Sequence, residues 1–524
     1  MSTEKKKNSG LVRSAAVVAG ATAISRILGL VREQVMAYFY GASMVTDAFV
    51  TAFRIPNLLR DMFAEGALSS AFVPVFKERL VHDGTKKAFP LADVVLTALL
   101  LVVSLIVLLG IIAAPAIVYL IANGFVENPE LFDLTVGLTR VMFVYLLLVS
   151  VSALLMGMLN SLGRFGIPAV APAMFNIGIV VAVLALHSRL EQPAYALAIG
   201  VVIGGIGQAV IQVPSLLRIG YRFRPALSLL DEGLKRVVHL LLPMIVGMSA
   251  GRLNILASTL IASFLMEGSI SFLSYSYRLM HFPLGVFAVA LGTVVLPKAS
   301  GLAAQDNPDQ LNRTFREAVN LNLFVVLPAS AVLALLGREI VNLIYAWGAF
   351  SQTDAANTAL ALRHYSYGLI GFSLVRVVVP FFYACNDSRL PMKISFATVA
   401  LNLALYYPLV KMLDFAGLAA ATSLAGIANA VMLLAFLPGK GITIHPGRLG
   451  LNSFRMVVAA LLAVVVARLV PLPDTFASSA LFQRVIELAV PLAGASVLYI
   501  FFCFILRVRE MKRLFSVLRR QSGE

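Results

Sequence analysis

Runs of about twenty apolar residues, separated by short polar stretches, recur along the whole chain. Each is long enough to cross a hydrocarbon core of about 30 Å as an α-helix. The pattern predicts about fourteen spans, at 11–40, 45–76, 90–121, 132–161, 168–187, 194–217, 236–264, 270–300, 312–345, 356–384, 391–411, 415–437, 451–471 and 485–507. A membrane β-barrel would instead alternate apolar and polar residues in segments of about ten. The expected fold class is an all-α polytopic membrane protein.

The polar stretches carry a sign. With the N-terminus inside, as Lys5, Lys6 and Lys7 suggest, the inside loops hold Lys77 and Arg79, Arg222 and Arg224, Arg313 and Arg316, and Lys440 and Arg448. The outside loops, such as NGFVENPE (123–130) and MEGS (266–269), are acidic or nearly neutral. Roughly 28 basic residues fall inside and about five outside, a bias that places both termini in the cytoplasm.

The pattern also repeats. Residues 250–300 echo residues 24–79: Arg26 and Arg252 open the unit, Gly41 and Gly268 close its first helix, and Pro56 and Pro283 break the second. Gly66 and Gly292 follow, and each copy ends in a proline and a lysine. Six spans separate the copies, so they share one orientation. This is a parallel repeat of the kind that builds two-lobed transporters with a site between the lobes. The expected organisation is an N-terminal lobe over 1–225, a C-terminal lobe over 226–440, and two added spans with a basic tail over 441–524. Each lobe has six helices, and the lobes surround a central cavity.

Polar positions inside the apolar runs are the chemical puzzle. The stretch 24–67, ISRILGLVREQVMAYFYGASMVTDAFVTAFRIPNLLRDMFAEGA, carries Arg26, Arg32, Glu33, Asp47, Arg54, Arg60, Asp61 and Glu65. One charge at the bilayer centre costs at least about 2.5–3.5 kcal/mol unless it faces water or a partner. On helical geometry Asp47, Arg54, Asp61 and Glu65 fall within about 40° of one another, as one polar stripe, while Arg60 points elsewhere. Arg26 and Arg32 lie about 120° apart and can line one broad cavity, with Glu33 on the Arg26 face. Asp61 and Glu65 are either helix-stitching pairs or cavity groups. Arg252 and Arg278 stand deep in later spans, and Arg376 either faces the cavity or snorkels. Several arginines on one cavity read as an anion site, because guanidinium forks grip phosphate oxygens bidentately. Asn176, Asn254 and Asn402 read as helix-to-helix hydrogen bonds, and His281 as structural.

Composition narrows the class. The chain has 524 residues, 60% hydrophobic and 13% charged, where a soluble protein carries about 25% charged residues. The net charge of +16 comes from short loops rather than one soluble face, which argues against nucleic acid. Cys385 and Cys503 lie far apart and suggest neither a disulfide framework nor a metal site. The basic N-terminus reads as part of a retained first span rather than a cleaved signal. No GxxxxGK[ST] loop and no catalytic constellation is present, so the expectation is a transporter, not an enzyme, without direct use of ATP.

The segments SRILGLVRE (25–33), GASMVTDAFVTAFRIPNLLRDMFAEGALSSAFVPVF (41–76) and SYRLMHFPLGVFAVALGTVVLPK (276–298) resemble the MurJ/MviN family of lipid II flippases, within the multidrug/oligosaccharidyl-lipid/polysaccharide exporter superfamily. The resemblance covers essentially the whole chain. It implies transport of undecaprenyl-diphosphate-linked peptidoglycan precursor from inner to outer leaflet by alternating access, with the polyprenyl tail along spans 13 and 14. It implies that Arg26, Arg32 and Arg278 hold the diphosphate–sugar head, and that Asp47, Arg60 and Glu65 shape the cavity and gates. With Arg54, Arg252 and Arg376 they make up the candidate cavity set. No metal or cofactor is implied, and a coupling ion beside the membrane potential is left open. The implied partners are lipid II and membrane lipid, with the protein acting as a monomer; contacts with the cell-wall synthesis machinery stay open. The implied location is the bacterial cytoplasmic membrane. Some family members have acidic residues on either side of the arginine in span eight; here those positions are Tyr277 and His281, so no ion pair around Arg278 is expected from them. The alternatives are a flippase for another polyprenyl-linked glycan and a cation-coupled drug exporter of the same superfamily. The exporter should favour acidic cavity residues, and here arginines dominate.

Overall fold

A computed structural model describes residues 2–60, 68–443, 446–469 and 480–511. Asp61, Glu65 and Gly66 lie outside the described residues, as does the tail beyond 511. The described residues are helical almost throughout, and eleven helices among them are long and apolar enough to cross a membrane. By that criterion the expected fourteen is not reached. Two further helices, of 39 and 31 residues, are long enough at 1.5 Å per residue, but some of their side chains lie outside the described set.

The chain divides into two compact units, Met1–Ile270 and Ser271–Glu524. The first contains α1 (Ser2–Tyr40), α2 (Met44–Arg60), α3 (Leu68–Asp83), α4 (Thr85–Ile112) and α5 (Ala114–Ile121). It continues with α6 (Pro129–Ser161), α7 (Gly166–Leu186), α8 (Ala194–Val210), α9 (Val213–Arg218) and α10 (Glu232–Ala262). Helix α10 packs on α3, α4 and α5, so by packing the seventh span goes with the first unit. Between helices inside a membrane, tight packing replaces the hydrophobic drive, and small residues permit it. Helices α7 and α8 meet so closely that a Cβ on Gly178 would come within 2.4 Å of the Gly204 backbone. An aromatic cluster of Phe49, Phe53, Tyr145 and Phe175 joins α2, α6 and α7.

The second unit takes most of α11 (Ser269–Pro283), which continues through one π-turn (Leu284–Ala288) into α12 (Val289–Ala304). Proline removes a helical donor and wider turns absorb the gap, so the break falls at Pro283. Then come α13 (Pro308–Leu335), α14 (Gly337–Ile344), α15 (Gln352–Ala384), α16 (Arg389–Leu413), α17 (Phe415–Phe436), α18 (Pro446–Leu469) and α19 (Ala480–Ile505). The two C-terminal helices share one core with α13 and α15: Ala463, Val464 and Cys503 pack with Phe315, Val319 and Phe381. Tyr499 donates its hydroxyl to the Phe324 carbonyl at 2.8 Å. Arg484 fixes the start of α19, its guanidinium 3.9 Å from the centre of the Trp347 ring and donating to the carbonyls of Asn342 and Ala346.

Candidate functional site: the charged helices

Helix α1 carries two arginines in different settings. Arg26 is exposed and has no hydrogen-bond or ion-pair partner among the described residues. Arg32 is built in. Its guanidinium pairs with the Glu33 carboxylate, donates to Asn176 Oδ1 on α7 at 2.9 Å, and lies 5.4 Å from the centre of the Phe175 ring. Asn176 in turn donates to the Ser25 carbonyl at 3.1 Å, tying α7 to α1. Helical phase assigns Glu33 to the Arg26 face, yet its pair here is Arg32. Neighbouring helix positions diverge by about 100°, and the long, jointed arginine stem closes that gap. Glu33 is 5% exposed, so a charge that would be costly alone is held by a cation.

Helix α2 begins with a second built-in carboxylate. Asp47 is 4% exposed and its Oδ2 accepts the backbone N–H of Gly268 at 2.8 Å. Glu267 Oε1, one residue earlier on that loop, accepts the N–H of Met44 at 2.9 Å, a donor in the first turn of α2. The two contacts are reciprocal: α2 supplies an acceptor to the loop ahead of α11, and the loop supplies one to α2. Free N–H groups at a helix start favour an anion. Both turns need glycine, for Gly41 has φ of +63° and Gly268 of +84°. Nearby, the Gly124 N–H donates to Ser263 Oγ at 3.0 Å, adding the 123–127 turn to the same cluster. Arg54 and Arg60 follow along α2, both half-buried. Glu65 and Asp61 of the expected stripe lie outside the described residues.

Arg252 is half-buried on α10. In the second unit Arg278 is half-buried on α11, between two ring residues. Tyr277 packs edge-on to His281 at 4.2 Å and to Tyr365 at 5.5 Å. Positions 277 and 281 are thus held by a joined aromatic pair. Arg376 is exposed on α15, and its carbonyl lies where a Cβ on Gly292 would come within 2.8 Å, so α12 and α15 cross closely there. Of the asparagines, Asn176 links two helices, and Asn402 donates to Tyr406 one turn along its helix at 3.1 Å.

The sequence singles out Arg26, Arg32 and Asp47 by their cost in a membrane, but not Glu267, whose contact with Met44 spans 223 residues. The available signal is a carboxylate beside a glycine in a short loop facing a helix start.

The chain matches the family model for lipid II flippase MurJ over residues 36–487. It is 33% identical to the lipid II flippase MurJ of Burkholderia cenocepacia over 461 residues, covering 87% of this chain and 89% of that protein. It is 37% identical to the probable lipid II flippase MurJ of Rhizobium meliloti over 506 residues, 93% of this chain and 92% of that one. Among solved structures it is similar to a lipid II flippase MurJ in an inward closed conformation, with a TM-score of 0.74, 25% identity, and coverage of 94% and 99% of the two chains. A multidrug transporter of the MATE family, inward-facing, shares the fold at a TM-score of 0.64 and 14% identity, covering 83% of this chain and 98% of its own.

Proposed function

The chain belongs to the lipid II flippase MurJ family, and from that premise we propose how its charges serve the transport. It moves lipid II, the undecaprenyl-diphosphate-linked peptidoglycan precursor, from the inner to the outer leaflet by alternating access. It is a multi-pass membrane protein and works without covalent chemistry. Both termini lie in the cytoplasm, consistent with the lysine and arginine bias of its loops. It acts as a monomer.

A diphosphate cannot cross about 30 Å of hydrocarbon unaided. The guanidiniums of Arg26, Arg32 and Arg278 replace the water its oxygens lose. The observation that carries this reading is the contrast on α1. Arg26 is exposed and without a partner among the described residues, so its donors are available to a ligand. Arg32 is held in position by Glu33, Asn176 and Phe175. Such pre-orientation lowers the entropy cost of gripping an anion. Arg54, Arg60, Glu65, Arg252 and Arg376 tune the potential of the passage. Asp47 serves as a gate latch, released when the Gly268 amide moves away. Because charge moves, the membrane potential can act, at about 2.3 kcal/mol per charge per 100 mV.

The test is a rescue. A bacterium is depleted of its resident lipid II flippase, this chain is expressed, and lipid II accessible from outside the inner membrane is labelled. Wild type should restore labelling, while Arg26→Ala and Arg278→Ala, present at equal levels in the membrane, should not. Variants that rescue as well as wild type would remove the arginines from the head-group role and leave the transport standing.

A further inference from the structure

The second unit has a cavity of about 260 Å³ where α13 begins and the chain leaves α19. Its lining is Arg313, Arg316, Glu317, Asn320, Arg509 and Glu510. Arg313 is engaged, its Nε donating to Glu317 Oε1 at 3.0 Å one turn along α13. Arg316 and Arg509 are exposed, and their guanidiniums have no acceptor among the described residues. Glu510 is the opposite: 8% exposed, with Oε2 accepting from Asn452 Nδ2 at 2.9 Å. Asn452, 3% exposed, also donates to Asn320 Oδ1 at 3.4 Å and accepts the Arg509 N–H at 3.4 Å. One buried amide of α18 therefore fixes α13 and the segment after α19 around the cavity.

The arrangement separates charge. Two guanidiniums stand at the rim and a held carboxylate lies in the floor. A bare phosphate would gain the rim and be opposed by the floor. A phosphate ester with an ammonium a few bonds away satisfies both. The source is a lipid rather than a soluble ester, because the cavity lies just beyond the end of α19, whose last turns expose Phe501 and Ile505. On a membrane-spanning helix that surface faces acyl chains.

We propose that this cavity binds the phosphoethanolamine headgroup of a membrane phospholipid, phosphate on Arg316 and Arg509 and ammonium at Glu510, with the acyl chains along α19. It is a zwitterionic site, separate from the arginines of α1 and α11.

The test is native mass spectrometry of the full chain in detergent with phosphatidylethanolamine, phosphatidylglycerol, free phosphoethanolamine or inorganic phosphate added. Phosphatidylethanolamine should bind about tenfold more tightly than phosphatidylglycerol, and Arg316→Ala should weaken it by about tenfold, the worth of one charge-assisted contact. Glu510→Gln keeps an acceptor for Asn452 and should reverse the preference toward phosphatidylglycerol. Arg316 is exposed, so its variant remains informative if the Glu510 variant misfolds. Equal or tighter binding of phosphatidylglycerol to wild type would overturn the zwitterionic assignment. Competition by inorganic phosphate at the same concentration would make it a soluble-anion site instead. Binding unchanged in Arg316→Ala would remove the cavity from consideration.

Discussion

Aligned on Gly41 with Gly268 and on Pro56 with Pro283, helices α2 and α11 share their backbone requirements and almost none of their charge. Both are entered through a glycine of positive φ and both contain a proline, but α2 runs unbroken through Pro56 to Arg60, against the break expected there, whereas α11 ends at Pro283. Yet where α2 carries Asp47, Arg54 and Arg60, the second copy has Ser274, His281 and Phe287, and the one arginine of α11, Arg278, stands opposite Thr51. Backbone geometry is demanded wherever a helix must turn, so both copies keep the glycine. Charge inside a membrane is costly and stays only where a partner or a ligand holds it. The shared glycines and prolines therefore report the fold, while of the charges singled out in the first copy only Arg26 has a counterpart, Arg252.

The contrast is broken most forcefully at Arg32, the most heavily partnered charge of α1. Arg32→Ala leaves the buried Glu33 carboxylate without that cation and Asn176 without that donor. It should cost about 3 kcal/mol of unfolding stability, measured in detergent with a denaturant series. Arg26→Ala on the same helix, an exposed position, should stay within about 0.5 kcal/mol. A similar loss at both positions would show that the two arginines are equally structural and would weaken the ligand role of Arg26.

Asp47 against Ser274 is the next largest test. Asp47→Ala strands the Gly268 N–H in a buried setting and should cost about 2 kcal/mol. Asp47→Asn keeps an acceptor oxygen and should recover most of that loss. Ser274→Ala at the matching position of the second copy should change unfolding by less than about 0.5 kcal/mol. In the rescue assay Asp47→Asn then separates stability from gating: folded protein without lipid II labelling assigns the carboxylate charge to the gate.

These two carboxylates also mark the limit of what the sequence discloses. The helical fold class is legible because twenty-residue apolar runs have few alternatives in a bilayer. The glycine turns and the break at Pro283 are legible because each residue carries its own conformational preference, whereas Pro56 sits inside an unbroken α2. That Asp47 is special is legible from its cost. What it touches is not, since Gly268 lies 221 positions away and offers only a backbone amide, which no side-chain pattern announces. The pairing of Glu33 with Arg32 is hidden for a different reason: angular phase locates Cα atoms, while a four-bond side chain reaches well past its own sector.

The shared backbone is tested by placing a Cβ at each turn. Gly41→Ala and Gly268→Ala each force a left-handed conformation on an L-residue and should cost about 1–2 kcal/mol apiece, read from the same unfolding series. Near-equal losses support one geometric requirement used twice. A loss at Gly268 several times that at Gly41 would mean that the Asp47 contact, and not the turn, dominates the second site.

The smallest expected effect lies at Glu267, and it sharpens the comparison because this carboxylate belongs to the second copy but serves the first. It is exposed, and it accepts the N–H of Met44 at the start of α2. Glu267→Ala removes an acceptor from a helix start and should cost about 0.5–1 kcal/mol. Glu267→Gln retains an oxygen and loses only the charge, so its cost should fall to a few tenths of a kcal/mol and shrink further as salt is raised. Asp47→Asn, buried beneath the same loop, should show no such salt dependence, because ions screen exposed charges and reach buried ones poorly. If both variants respond to salt alike, water and ions reach Asp47, and the latch is an open, wet contact rather than a buried one. If neither responds, the hydrogen bonds alone carry the clasp, and the charge of Asp47 is retained for transport.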